Sequence, residues 1–141
     1  MPPRSHRFKV NYDGAVFKQT NEAGIGVIIR DTRGLVLAFL VQKVCFPHSV
    51  PSIEAWAAKR SIQFALEIGL TEAEFEGDSQ IVVTDLNDTH PSLAPFGLLI
   101  ADAKTMAEKL QKFSFTHVKR QGNRLAHALA HKAQSCNNLE V

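Results

Sequence analysis

Asp13 in the run FKVNYDGA, Glu54 in PSIEAWAA and Asp78 in EFEGDSQIVV each stand at the mouth of an apolar segment. A carboxylate in that position is costly to bury and well suited to holding a metal ion. Three of them, spread over one small chain, suggest a single acidic site assembled from distant segments. An all-oxygen ligand set suits Mg²⁺ or Mn²⁺, hard cations that also bind phosphate oxygens. The chemistry this supports is metal-assisted phosphodiester hydrolysis, with one ion activating water and another stabilising the leaving oxygen. Taken singly, each residue also has an ordinary reading: Asp13-Gly14 as turn chemistry, Glu54 as a favourable charge at a helix N-terminus, Asp78 as an N-cap.

The elements that must position these residues follow from periodicity. Phe8, Val10 and Tyr12 alternate with Lys9 and Asn11, predicting a strand with one buried face that ends at Asp13-Gly14. GIGVIIRD and LVLAFLVQ predict a second and third strand, joined through Thr32-Arg33-Gly34 as a hairpin. Pro51-Ser52 opens a helix with Ile53, Trp56, Ala57, Ile62, Ala65 and Leu66 at helical spacing, and Gly69 is its stop signal. AEFEG reads as a fourth strand leading into Asp78-Ser79, which can cap the helix SQIVVTDLN. After the proline-bearing loop DTHPSLAP, a longer amphipathic helix is expected from Phe96 to Lys112, with Leu99, Ile100, Ala103, Met106, Ala107 and Leu110 on its apolar side. FSFTHVKR returns as a strand, Gln121-Gly122-Asn123 turns, and RLAHALAHKA closes as a helix. Trp56, Phe113, Phe115 and Met106 follow the buried periodicity and read as core.

This order predicts an α/β fold, a mixed five-stranded sheet with helices on both faces. The first strand is expected at the centre, with the fourth parallel to it through a helical crossover. Ligands gather at the carboxyl ends of parallel strands, where Asp13 and Asp78 both fall. Glu54, in the first turn of the crossover helix, can point into the same cleft.

At 141 residues the chain is long enough for one domain with its own core. Residues 1–7, with two prolines and three basic side chains, read as a linker, 8–134 as the domain, and 135–141 as a tail that frays. Cys45 and Cys136 lack metal-type spacing and no secretory segment precedes them, so an intracellular, reduced setting is expected, in nucleus or cytoplasm. No apolar stretch reaches the ~20 residues of a membrane helix. The net charge of +2 means that nucleic-acid binding must rest on local clustering. Lys119, Arg120, Arg124 and Lys132 cluster around the last turn and helix, and the first three are candidates for phosphate contact. His127 and His131 share a helix face, but without a third ligand they do not make a zinc site.

Asp13-Gly14, the GIGVIIRD hairpin, Glu54 at a helix start, Asp78-Ser79-Gln80 and the closing GNRLAHALA, in that order from Phe8 to Ala133, resemble a ribonuclease H domain. More narrowly, the chain is similar to the plant ribonuclease H-like domains found at the end of non-LTR retroelement reverse transcriptases. The resemblance implies a divalent-metal-dependent endonuclease that hydrolyses the RNA strand of an RNA/DNA hybrid, leaving 5′-phosphate and 3′-hydroxyl ends. It also implies Mg²⁺ or Mn²⁺ held by four acidic residues. Asp13, Glu54 and Asp78 match the first three, with Asp13 bridging two ions if two bind. The fourth position, four residues after Asn123, is His127. Imidazole ligates Mn²⁺ acceptably but Mg²⁺ poorly and brings no negative charge, so a weakened site with stronger activity in Mn²⁺ is implied.

Other family features are partly present. VKRQGN is too short for the histidine that many members carry in the loop before the last helix, and His117 does not align with it. Val50 and Pro51 stand where two asparagines often touch the hybrid, whereas Gln80 matches a residue that reaches the minor groove, where 2′-hydroxyls distinguish RNA. Gly14, Ala15, Gln80, Lys119, Arg120, Asn123 and Arg124 form the expected nucleic-acid-binding set. The rival reading is a catalytically inert nucleic-acid-binding module of the same fold, favoured by His127 and Val50-Pro51 and opposed by the three retained carboxylates. The expected partner is an RNA/DNA hybrid, or duplex RNA for the inert module, and not a membrane; a third reading is an interaction domain whose partner is protein. The expected form is a monomer, with an upstream reverse transcriptase or other domain in a longer chain.

Overall fold

The computed structural model describes residues 7–45 and 50–135, together with the backbone of residues 139–140. Three strands open the chain: β1 (Arg7–Phe17), β2 (Glu22–Arg30) and β3 (Val36–Cys45). Helix α1 (Val50–Glu67) crosses over to β4 (Glu72–Gly77), followed by α2 (Gln80–Asn87), α3 (Gly97–Ala107), β5 (Lys112–His117) and α4 (Arg124–Lys132). A last short strand, β6 (Leu139–Glu140), lies at the sheet edge, giving the order β5-β4-β1-β2-β3-β6. As the strand-helix alternation predicts, β1 is internal, antiparallel to β2 and parallel to β4, and β5 continues the parallel half beside β4.

Alternation along β1 sends Val10 and Tyr12 into the larger core, which also contains Ile53, Ile62, Phe75, Val82 and Ile100. Helix α4 covers the opposite face, packing on β1, β2 and β3 over Ala15, Phe17 and Val41. Its approach requires glycine at Gly26, where a Cβ would come 2.3 Å from Ala130 N and 2.4 Å from Ala126 O. With both faces covered, the polar face expected for β1 is buried around its centre: Asn11 is 1% exposed and Asp13 2%.

The elements depart from expectation in four places. Helix α3 stops at Ala107, short of the expected Lys112, and the amides of Gln111 and Lys112 both donate to Thr71 O, at 2.8 and 3.3 Å. The parallel pairing of β5 with β4 therefore captures the segment, and Leu110 is buried in the intervening turn. Phe113, expected in the core, is 40% exposed because β5 is an edge strand, although its ring lies 5.5 Å from that of Phe115. Arg7 already belongs to β1, opposite Glu72, and its Nε lies 3.1 Å from Glu74 Oε1, so the first strand starts one residue before Phe8. In the expected tail, Leu139–Glu140 pairs antiparallel with Val41 and Gln42, which makes the sheet six-stranded. Residues 1–6 of the expected linker and 136–138 and 141 of the expected tail lie outside the described residues. Among the described residues no helix is long and apolar enough to cross a membrane.

Candidate metal centre

Asp13 lies on β1 just past Asn11, the last residue of that strand paired with β4, and Asp78 immediately follows Gly77, the last residue of β4. Two neighbouring parallel strands thus deliver carboxylates to the same end of the sheet. Glu54 arrives from α1, past that helix's first turn because the helix begins at Val50. The Gly14 amide donates to Glu54 Oε1 at 3.2 Å, tying the helix to the end of β1. Ser79 is the N-cap of α2, its hydroxyl accepting from the Val82 amide, so Asp78 is free of the capping role.

One ligand oxygen from each of Asp13, Glu54 and Asp78 lies within 4.8 Å of the others. Asp13 and Glu54 are buried and Asp78 is half-buried, an arrangement that isolated carboxylates avoid. Burial pushes the Glu54 carboxyl well above the usual range, and the charges of Asp13 and Asp78 add to the rise, while the Gly14 amide opposes it. Asp78 is raised by burial and then by Asp13, against the lowering pull of Arg120 and His127. Buried oxygens without a hydrogen-bond partner include Glu54 Oε2, Asp78 Oδ2 and the Tyr12 hydroxyl. Arg120 Nε stands 3.9 Å from Asp78 Oδ2, too far for a hydrogen bond. Crowded, shielded carboxylate oxygens without donors are the donor set a hard divalent cation takes, so these residues fit Mg²⁺ or Mn²⁺.

His127, the expected fourth ligand, directs Nδ1 at Asp13 Oδ2 across 2.7 Å. As the structure stands, it is a partner of Asp13, and its Nε2 is the ring nitrogen left over. One turn on, His131 meets the His127 ring edge-on at 4.4 Å between centroids. Partial burial lowers the His131 pKa, and the neighbouring His127 lowers it further.

The expected nucleic-acid contacts divide into two groups. Lys119, Arg120 and Arg124 line an open basin of about 600 Å³ with Gln121 and His127, beside the acidic trio. Gln80 is exposed at the start of α2, and Gly14 remains half-buried at the site. Ala15 and Asn123 are buried. Ala15 is packed beneath α4 in the smaller core cluster, which leaves its side chain nothing to offer a ligand. Asn123 is 1% exposed, donates to Tyr12 O at 2.8 Å and accepts from Asn11 Nδ2 at 3.0 Å, so its amide holds the start of α4 to β1. Asn11, which bonds Asn123, has little to mark it in the sequence. Its only signal was a polar residue in the strand that carries Asp13, and period-two alternation assigns such a residue to solvent.

Residues 11–133 match the reverse transcriptase-like family. The Arabidopsis thaliana "Putative ribonuclease H protein" is 31% identical over 133 residues, which is 90% of this chain. The chain spans about a fifth of that relative's length, 20%. Among solved structures, ribonuclease H1 of the halophilic archaeon Halobacterium salinarum superposes with a TM-score of 0.83 at 25% identity, over 92% of this chain and 98% of that one. A ribonuclease H1 isolated from compost by a metagenomic approach, solved in complex with an RNA/DNA hybrid, gives 0.78 at 22% identity, over 89% and 95% of the two chains. The sheet and its helical layers are therefore those of the ribonuclease H fold.

Proposed function

From the premise that this chain belongs to the reverse transcriptase-like family, whose fold here is that of ribonuclease H, we propose that it hydrolyses the RNA strand of RNA/DNA hybrids with Mg²⁺ or Mn²⁺. The observation that carries this reading is the convergence of Asp13, Glu54 and Asp78 at the ends of two parallel strands, with buried oxygens that no donor among the described residues satisfies. When bound, a divalent cation supplies an activated water and charge stabilisation at the scissile phosphate. Asp13 is the innermost ligand, held at the centre of the sheet. Glu54 and Asp78 complete the oxygen set from α1 and from the end of β4. Lys119, Arg120 and Arg124 offset the repulsion between this acidic centre and the phosphate backbone, and they position the strand without reading its sequence. Gln80, at the exposed start of α2, supplies a minor-groove contact at which 2′-hydroxyls can be recognised.

The contact of His127 with Asp13 favours a second reading, a hybrid-binding module that no longer cuts. The two are separated with an end-labelled RNA/DNA hybrid incubated with Mg²⁺ and with Mn²⁺. Cleavage of the RNA strand is expected with both ions and more strongly with Mn²⁺. Asp13→Asn is expected to lower it by at least about a hundredfold while hybrid binding persists. Binding without cleavage by the unmodified protein in either ion leaves the module reading in place of the nuclease.

A further inference from the structure

Tyr12 holds a group that the proposed reaction leaves unused. The residue is 1% exposed and its hydroxyl has no hydrogen-bond partner, a burial cost that phenylalanine would not carry. The position of that hydroxyl is fixed from two sides. On the backbone, Tyr12 O accepts from Asn123 Nδ2 at 2.8 Å, which anchors it toward α4. On the side chain, the ring lies over Gly77, where a Cβ would come 2.4 Å from Tyr12 Cζ and 2.5 Å from the hydroxyl oxygen. The ring therefore needs a glycine directly before Asp78 in order to reach the site.

Its place against Gly77, which directly precedes Asp78, sets the hydroxyl at the edge of the acidic trio, where Asp78 Oδ2 already has Arg120 Nε at 3.9 Å. Glu54 Oε1 already accepts from the Gly14 amide, while Oε2 is buried without a donor. One wall of the acidic centre thus contains a donor lacking an acceptor and an acceptor lacking a donor. We infer that Tyr12 is a positioning residue whose hydroxyl donates to Glu54 Oε2 when a divalent cation occupies the site, fixing the orientation of that ligand. The inference rests on the metal site proposed above, and it concerns a side chain that supplies no ligand itself.

Tyr12→Phe removes the hydroxyl and keeps the ring. By calorimetric titration with Mn²⁺, the variant is expected to bind the ion about tenfold more weakly, the effect of losing one hydrogen bond to a charged group. Turnover of the hybrid should fall while its KM is unchanged, and the melting temperature without metal should stay level or rise. Tyr12→Leu, which also removes the ring, should lower that melting temperature and so separates packing from the hydroxyl. Equal Mn²⁺ affinity in Tyr12→Phe and the unmodified protein overturns the role of Tyr12 alone. An unmodified protein that binds no Mn²⁺ overturns both this inference and the metal site. One that binds Mn²⁺ yet leaves the hybrid intact overturns only the nuclease, and the affinity comparison still decides for or against Tyr12.

Discussion

At the scale of single residues, the chemistry turns on what His127 does for Asp13. A carboxylate 2% exposed and beside two others is strongly disfavoured as a lone anion, and the imidazole 2.7 Å away offers it a donor. That contact relieves the centre when no cation is bound. In the proposed metal site, histidine at this position would bring no negative charge for a second Mg²⁺. His127→Asp should therefore act in opposite directions on the two states. Mg²⁺-dependent cleavage is expected to rise about 10–100-fold, the usual range for restoring a group that orders a metal site. Without metal, another carboxylate beside Asp13 should lower the melting temperature. An unchanged rate in both Mg²⁺ and Mn²⁺ would show that this corner does not govern activity.

At the scale of elements, the site depends on how α4 is held to β1. Asn123 occupies the junction with one amide, donating to Tyr12 O and accepting from Asn11 Nδ2. Asn11 also donates to Glu76 Oε1 and accepts from Arg30 Nη2, so the chain of bonds runs from β2 through β1 to the start of α4. Asn123→Ala leaves the Tyr12 carbonyl without its donor and Asn11 with one acceptor fewer. We expect a loss of about 2–3 kcal/mol in urea unfolding, whereas Gln121→Ala, a few residues away on the exposed turn, should change stability by less than about 0.5 kcal/mol.

This junction also marks where legibility in the sequence ends. The hairpin, the crossover and the three carboxylates could be read because each has a local signature: alternation, a glycine turn, or an acid at the mouth of an apolar run. Asn11 and Asn123 have no such signature, since their burial depends on α4 lying over the sheet, a contact between residues more than a hundred positions apart. The end of α3 is illegible for a related reason, because the carbonyl of Thr71, far back in the chain, captures the amides that local periodicity assigns to a helix. Phe113 has the alternation of a core residue and lacks only a neighbouring strand to cover it.

At the scale of the whole molecule, the acidic centre is a fault in the fold that a cation would repair. Glu54 and Asp78 hold their protons to higher pH in the folded protein than in the unfolded chain, first because they are buried and then because Asp13 is close. Groups shifted in that direction add to stability while protonated, below the ordinary carboxylate range near ~4. The contribution is lost as pH rises through their raised folded values, so on account of these two groups the metal-free protein is less stable at neutral pH than near pH ~4. Glu54→Gln removes one charge from the centre. Without metal it should raise the melting temperature at pH ~7 by roughly 3–8 °C, the equivalent of about 1–2 kcal/mol, and the gain should shrink as the pH is lowered toward ~4. Bound Mn²⁺ acts on the same cost from the other side. At a hundred times its dissociation constant it should stabilise the unmodified protein by about 2.7 kcal/mol, more at pH ~7 than at pH ~5 because bound metal needs the ionised carboxylates. Glu54→Gln should respond much less. Thermal melts of the two proteins, with and without Mn²⁺ at both pH values, measure all of these quantities. A Glu54→Gln protein that is less stable than the unmodified one without metal at pH ~7 would show that Glu54 serves the fold and not the cation.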